Sequence, residues 1–527
     1  MRTWRPALGV FLSAAALGCS AYAPRRPSPA LLVTGAGVFG HPGADCLLVR
    51  DGRVAAVGRA ADLAGQALGA AHVDGGPGLL LPGLHDAHLH LLDGGLSLSQ
   101  ADLGPAKSEA EAVELARAWA AKNPAGAVRG RGWSYDIMPA GSYPTRAALD
   151  AVFSTRPVVL ESYDGHAYWF NTAALHQAGV GTDARDPEGA RFVRGPDGRV
   201  SGTVLEAGGE LVESLAGGLT PAEKAEGVRR GLALLAASGV TAADVMSGDL
   251  EEFEALAALE AKGELPVRVF YSPPLGGDLA VYRRLRERAR GRLEFGWLKG
   301  FVDGAFESKT AETLEPFPDG TRAPAWGLEP ARLKALIREA QAAGFPVALH
   351  AVGDAAVRAS LDAYEAARDL PAPRRRHRVE HDEVVHPDDL VRFHALDVVA
   401  SMQPLHADPG GPAPSEGAWS RNVGPERLPH SFPWRALTTA GAVLAFGSDW
   451  PVVTQDPLAG LAFAQARKDG PLTFDEAVRG YTAGPAYAAR READLGCLDP
   501  GCLADVVVVE PGAKKPALVL VDGVKVP

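Results

Sequence analysis

Apolar positions along the chain fall into two kinds of run. Near the ends they are short and broken by turn pairs. Residues 31–83 contain "LLVTGAGVFG", "DCLLVRDGRVAAVG" and "HVDGGPGLLLPG", and the far end contains "GCLDPGCLADVVVVE" and "PALVLVDGVKV". Asp-Gly and Gly-Gly between such runs predict strands joined by tight turns. In the middle, strand-length runs alternate with helix-length stretches such as 222–237 and 331–343, and "HPDDLVRFHAL" starts another helix. That alternation predicts βαβ units around a parallel sheet. The strands count out as eight. The first ends at "HDAHLH", and the others cover 239–246, 266–272, 295–304, 345–354, 376–383, 397–404 and 442–451. Eight strands separated by helical segments predict an α/β chain folded as a (β/α)8 TIM barrel over 83–489. The gap after strand one is too long for one helix, so an insertion is expected at roughly 100–215.

Composition narrows the class. With 527 residues, the chain is too long for one ordinary core, and 46% hydrophobic with 22% charged residues reads as soluble and globular. A net charge of −11 argues against a nucleic-acid partner. The first residues stand apart. Arg2 and Arg5 precede an apolar run, Ala7 to Leu17, and then Gly18-Cys19. This matches an export signal over 1–19, too short to span a membrane. "ALGC" resembles a bacterial lipobox in which Cys19 carries the lipid, with a misplaced start codon as the alternative. Residues 20–30 then form a Pro-rich tether. The expectation is an exported protein on the periplasmic face, touching membrane only through its anchor. Cys46, Cys497 and Cys502 remain, and one pair can bridge in an exported chain. Cys497 with Cys502, across "LDPG", is the favoured pair because it assumes nothing about how the ends meet.

The candidate chemistry sits on the strands. His88 and His90 end strand one, and two residues apart on a strand they point to one side. Lys299 lies in strand four, while His350, His381 and Asp449 end strands five, six and eight. Active sites of this barrel collect at the C-terminal strand ends. Each residue alone has a plain explanation: a satisfied polar histidine, a buried lysine paired with a carboxylate, or a helix cap. All six together, in order and on the right strands, point to a metal centre.

At these residues the chain resembles the amidohydrolase superfamily, and within it amidohydrolase family 3, the YtcJ-like branch that includes N-substituted formamide deformylase. The stretches that carry the likeness are "DGRVAAVG", "LPGLHDAHLH", "PTRAALDAV", "DGHAYWFNTAAL", "ASGVT", "LKGFVDGAFESKTA", "ALHAVGD", "RVEHDEV", "QPLHAD", "FGSDWPV" and "ADVVVVE". They run from about residue 31 to 520. His85 stands where the family usually has an aliphatic residue, and "FESKTA" departs from its usual run of small residues. The resemblance implies that His88, His90 and Asp449 hold one divalent metal and that His350 and His381 hold a second. Lys299, carboxylated by CO2, would bridge the two. Zinc suits these ligands, with iron or manganese as alternatives. It also implies that segments 31–82 and 490–527 pair into a composite β-sandwich.

The activity implied is hydrolysis of an amide-type C–N bond in a small molecule by metal-activated hydroxide, with Asp449 moving the proton. An esterase, a lactonase or a phosphotriester hydrolase would use the same metals. Lys299 argues against a ring deaminase, and a full ligand set argues against a non-catalytic scaffold. Trp133, His166, Trp169 and Gln403 are candidates for substrate contact by stacking or hydrogen bonding. His166 is equally readable as a structural hydrogen-bonder, and His406 as a group just outside the metal ligands or as a pocket group. The oligomeric state stays open.

Overall fold

The barrel strands predicted from the sequence are all present in this computed structural model, which describes residues 30–526 apart from 187–189, 207–218, 324–327, 371–375, 408–416 and 468–469. The expected signal segment 1–19 and nearly all of the tether lie outside the described residues. The strands are β1 (Leu84–Leu89), β2 (Val240–Met246), β3 (Arg268–Ser272), β4 in two pieces (Leu293–Phe295 and Leu298–Phe301), β5 (Val347–Ala351), β6 (Arg378–His381), β7 (Val399–Met402) and β8 (Leu444–Phe446). Every residue of β1, β2, β3, β5, β6 and β7 is buried, as a parallel sheet covered on both faces requires.

The strands are shorter than predicted because several turn into left-handed backbone close to the last residue. Ser247 has φ 57°, His381 has 80°, Asp382 has 48° and Asp449 has 56°. Side chains are uncommon in this region, and such strain clusters where a site must aim its groups.

The hydrogen-bonded ladders form two arcs. One runs from the first piece of β4 through β3 and β2 to β1, and the other from the second piece of β4 through β5, β6 and β7 to β8. The arcs touch at single parallel bridges, Leu89 with Trp450 and Pro274 with Lys299. The sequence predicted one continuous ring of strands. The observed break in β4 falls at Gly296-Trp297, where Gly296 N bonds back to Tyr271 O and the Trp297 indole turns to Arg376 O.

Helices cover the arcs where capping and periodicity coincide. The expected 222–237 helix spans Pro221–Ala237 and starts at a capping box between Thr220 and Glu223, with proline in its first turn. Val228, Leu232 and Leu235 make its buried face. The expected 331–343 helix spans Pro330–Ala342. Among the described residues no helix is long and apolar enough to cross a membrane.

The insertion carries its own six-stranded sheet, with strands from Ala101–Asp102 to Val200–Glu206. At the chain ends, Leu79–Pro82 pairs antiparallel with Val506–Val509, which pairs with Leu518–Val521. Leu31–Thr34, Cys46–Arg50, Arg53–Gly58 and Ala71–Asp74 form a second sheet. Val33, Leu47 and Val49 of one sheet share a core with Leu80, Val506 and Leu520 of the other.

Of the cysteine pairings left open by the sequence, the local one is present. Cys497 bridges Cys502 with a Cα separation of 6.0 Å. Cys46 is buried and free, and burial pushes its thiol up to about 11. Alkylation with peptide mapping is therefore expected to mark Cys46 only after unfolding, and Cys497 and Cys502 only after reduction. Labelling of Cys497 in unreduced, unfolded protein would show that the bridge is absent.

Candidate metal centre

The six ligand candidates meet at the C-terminal ends of the strands. Asp449 Oδ1 lies 3.4 Å from His88 Nε2 and 3.2 Å from His90 Nε2. Lys299 Nζ lies 3.3 Å from His88 Nε2. The His381 ring is 4.9 Å from that of His88 and 4.3 Å from that of His350. Tight packing holds β8 against β1 here. A Cβ added at Gly447 would come within 2.4 Å of His88 N, and Asp449 N donates to His88 O at 2.7 Å.

Burial decides the protonation of the histidines. It pulls His88 down to about 4 and takes His350 and His381 well below the ordinary imidazole value, so their rings are neutral near pH 7. Burial also lowers Lys299 to about 8. Hydrogen bonds then aim the lone pairs. His88 Nδ1 donates to Glu380 Oε2 at 2.6 Å, which leaves Nε2 turned to the centre. His381 Nδ1 donates to Gln403 Oε1 at 2.9 Å and leaves its other nitrogen free.

The donor set fits a divalent cation. Asp449 Oδ1 is buried without a hydrogen-bond partner, and so is His406 Nε2. A buried carboxylate oxygen without a partner is costly unless a cation completes it. Among the described residues two groups of donors lie close enough to hold an ion: His88, His90 and Asp449, and His381, His406 and Asp449. The second group includes a residue given only a pocket role from the sequence. His406 Nε2 lies 3.7 Å from Asp449 Oδ2. His350, expected beside His381, is close to it but donates from Nε2 to Gly304 O at 3.1 Å.

The substrate-contact candidates divide. Trp133 and Trp169 are corrected: both are fully buried in the insertion's own core. Their indole N–H groups donate to Leu160 O and Thr145 O, so neither has a face to offer a ligand. Gln403 is buried and orients His381. His166 does reach the centre, with its ring 5.4 Å from that of His350. It donates from Nδ1 to Glu206 at 2.8 Å, and although burial works against protonation, Glu206 outweighs it and holds His166 up at about 10.

A buried chain of polar groups beneath the centre escaped the sequence reading. Arg378 donates to both oxygens of Glu380 at 2.8 Å and also bonds Asp244, whose other oxygen takes His85 Nε2 at 2.7 Å. His85, the departure from the family pattern, is thus joined to His88 through Asp244, Arg378 and Glu380. A signal existed. Arg378 and Glu380 stand two apart in a strand that should be wholly apolar, so they share a face and need each other.

Comparison with known proteins gives the family. A model described as the amidohydrolase family matches residues 73–526. The Arabidopsis thaliana protein LONG AFTER FAR-RED 3 is 30% identical over 513 residues, covering 91% of this chain and 87% of that protein. N-substituted formamide deformylase of Arthrobacter pascens is 28% identical, covering 89% and 90%. The crystal structure of a metal-dependent hydrolase from Pyrococcus furiosus superimposes with a TM-score of 0.70 at 27% identity, covering 91% of this chain and 99% of that one. With the family match running from before the first barrel strand to the last described residue, and with the donor-rich strand ends inside it, this chain belongs to the amidohydrolase family and is a hydrolase.

Proposed function

We propose that the protein hydrolyses an amide-type C–N bond of a small molecule at a two-metal centre held by His88, His90, Lys299, His350, His381 and Asp449, with His406 beside it. The observation that carries this reading is the orphaned Asp449 Oδ1 between His88 and His90. Bound divalent ions, zinc being the best suited, would supply Lewis acidity to a carbonyl and ease deprotonation of water. The chain's own groups do the rest. Glu380 keeps His88 in the tautomer that faces the centre, and Gln403 fixes the ring of His381. Lys299, neutral once its proton is lost, would attack CO2 through Nζ: the N–C bond forms as one C=O π pair moves onto oxygen, a proton leaves Nζ to water, and the carbamate shares one negative charge over two oxygens. Asp449 takes a proton from the attacking water and delivers it to the leaving nitrogen.

Two measurements test this together: metal content of the full chain, and turnover on matched amides and esters with and without a chelator. Activity indifferent to metal removal would sink it, and turnover of esters alone would move the reading to an esterase. Lys299→Ala is expected to lose one equivalent of metal and to lower kcat/KM by about 100-fold or more, with partial recovery in added acetate. Unchanged metal content and rate would make Lys299 a structural residue.

We propose further that the chain is exported, supported by the signal-like start and by the Cys497–Cys502 bridge, which survives in oxidising compartments. Cell fractionation with and without Cys19→Ser tests this and the lipid anchor: wild type in the membrane fraction and the variant released is the expected result.

A further inference from the structure

A cavity of about 450 Å³ opens beside His90, between the barrel strand ends and the inserted sheet. This is room for a small molecule. Leu92, Leu96 and Met246 make an apolar part of its wall. Most charged groups around it are already engaged. Glu161 pairs with Arg131, and Lys224 pairs with Asp249 and Glu251. Glu252 accepts from Leu92 N at 3.0 Å, and burial pushes its carboxyl above the usual range.

Among the described residues, the side chains of Arg129, Ser247, Gln100 and Asp93 line the cavity without a hydrogen-bond or ion-pair partner. Arg129, half-buried on the strand Val128–Trp133, makes no hydrogen bond or ion pair among the described residues. Burial disfavours its charge, and the carboxylate that acts on it, Glu223, is occupied with Thr220 N and Oγ1. Ser247 Oγ is buried without a hydrogen-bond partner, on a residue held in left-handed backbone. Asp93 also lines the cavity but is exposed, where water and salt screen it. The Arg129 guanidinium is only partly buried and so is within reach of a ligand, and its planar fork matches a carboxylate.

We propose that this cavity receives the acid arm of the substrate: a carboxylate on the Arg129 guanidinium, a polar contact from the Ser247 hydroxyl, and an apolar side chain against Leu92, Leu96 and Met246. The substrate class is then an N-acyl amino acid with an apolar side chain. This deepens, and rests on, the hydrolase reading above.

The metal-loaded full chain and its Arg129→Gln variant are compared on N-acetyl-leucine of both hands and on N-acetyl-leucinol, which lacks the charge. Wild type is expected to prefer one acid over the alcohol by about 10- to 100-fold in kcat/KM, and Arg129→Gln to abolish the preference, chiefly through KM. Calorimetry with the same compounds and the metal-stripped proteins repeats the comparison without turnover. If the variant is poorly folded, Arg129→Lys keeps the charge but not the fork, and it too should lose most of the preference. No preference in wild type, or one that survives these variants, overturns the proposal. Equal hydrolysis of acid and alcohol would remove the acid arm and leave C–N hydrolysis standing. Acid-selective binding through Arg129 without hydrolysis of any compound would support the pocket and overturn the C–N bond assignment proposed above.

Discussion

Asp449→Asn is expected to lower kcat by about 10²- to 10⁴-fold, the range for losing a positioned acid–base group. The reason is the double position of this side chain. It belongs to both donor groups of the centre, with Oδ1 toward His88 and His90 and Oδ2 toward His406 and His381. Asparagine keeps the shape but neither accepts a proton at neutral pH nor offers an anionic ligand. Metal content therefore has to be measured beside the rate. A variant that keeps its metal and loses its rate identifies the proton carrier, and one that loses both identifies mainly a ligand. A rate within a few-fold of wild type, with metal bound, would remove Asp449 from the chemistry.

The largest effect on stability is expected from Arg378→Met. Arg378 is completely buried, bonds Glu380, Asp244, Ala87 O and Ser401 Oγ, and lies with its guanidinium 4.4 Å over the Trp297 ring. Methionine fills much of the space but leaves two buried carboxylates without their cation. Breaking a buried pair from one side typically costs about 3–5 kcal/mol. Because Glu380 also holds the tautomer of His88, metal affinity should fall by about 10- to 100-fold as well. Arg117→Met serves as the contrast, since Arg117 pairs with Glu114 in open solvent and its removal should leave no measurable change. Chemical denaturation with metal titration checks both. An unaltered unfolding midpoint for Arg378→Met would show that the network relaxes around the loss.

Strand order, and the residue type ending each strand, could be read from the sequence because both are local facts. A strand buried on both faces reads as a short apolar run, and a polar residue at its end stands out. His88, His90, His350, His381 and Asp449 were legible on those terms, and the Cys497–Cys502 bridge followed from a short separation around a turn. Partners and surroundings were decided by tertiary packing. That His88 leans on Glu380, that Arg378 ties Glu380 to Asp244 and His85, and that His406 joins Asp449 all depend on residues far apart in sequence. Trp133 and Trp169 misled for the same reason: an indole reads alike in a pocket and in a core, and only the folded insertion turns both inward. The break in β4, the left-handed turns at Ser247, His381 and Asp449, and an Arg129 unpartnered among the described residues likewise came only with the folded chain. Local pattern determines which groups a strand carries; packing between distant segments determines which of them meet, because each contact there must be compatible with its neighbours in a close-packed interior.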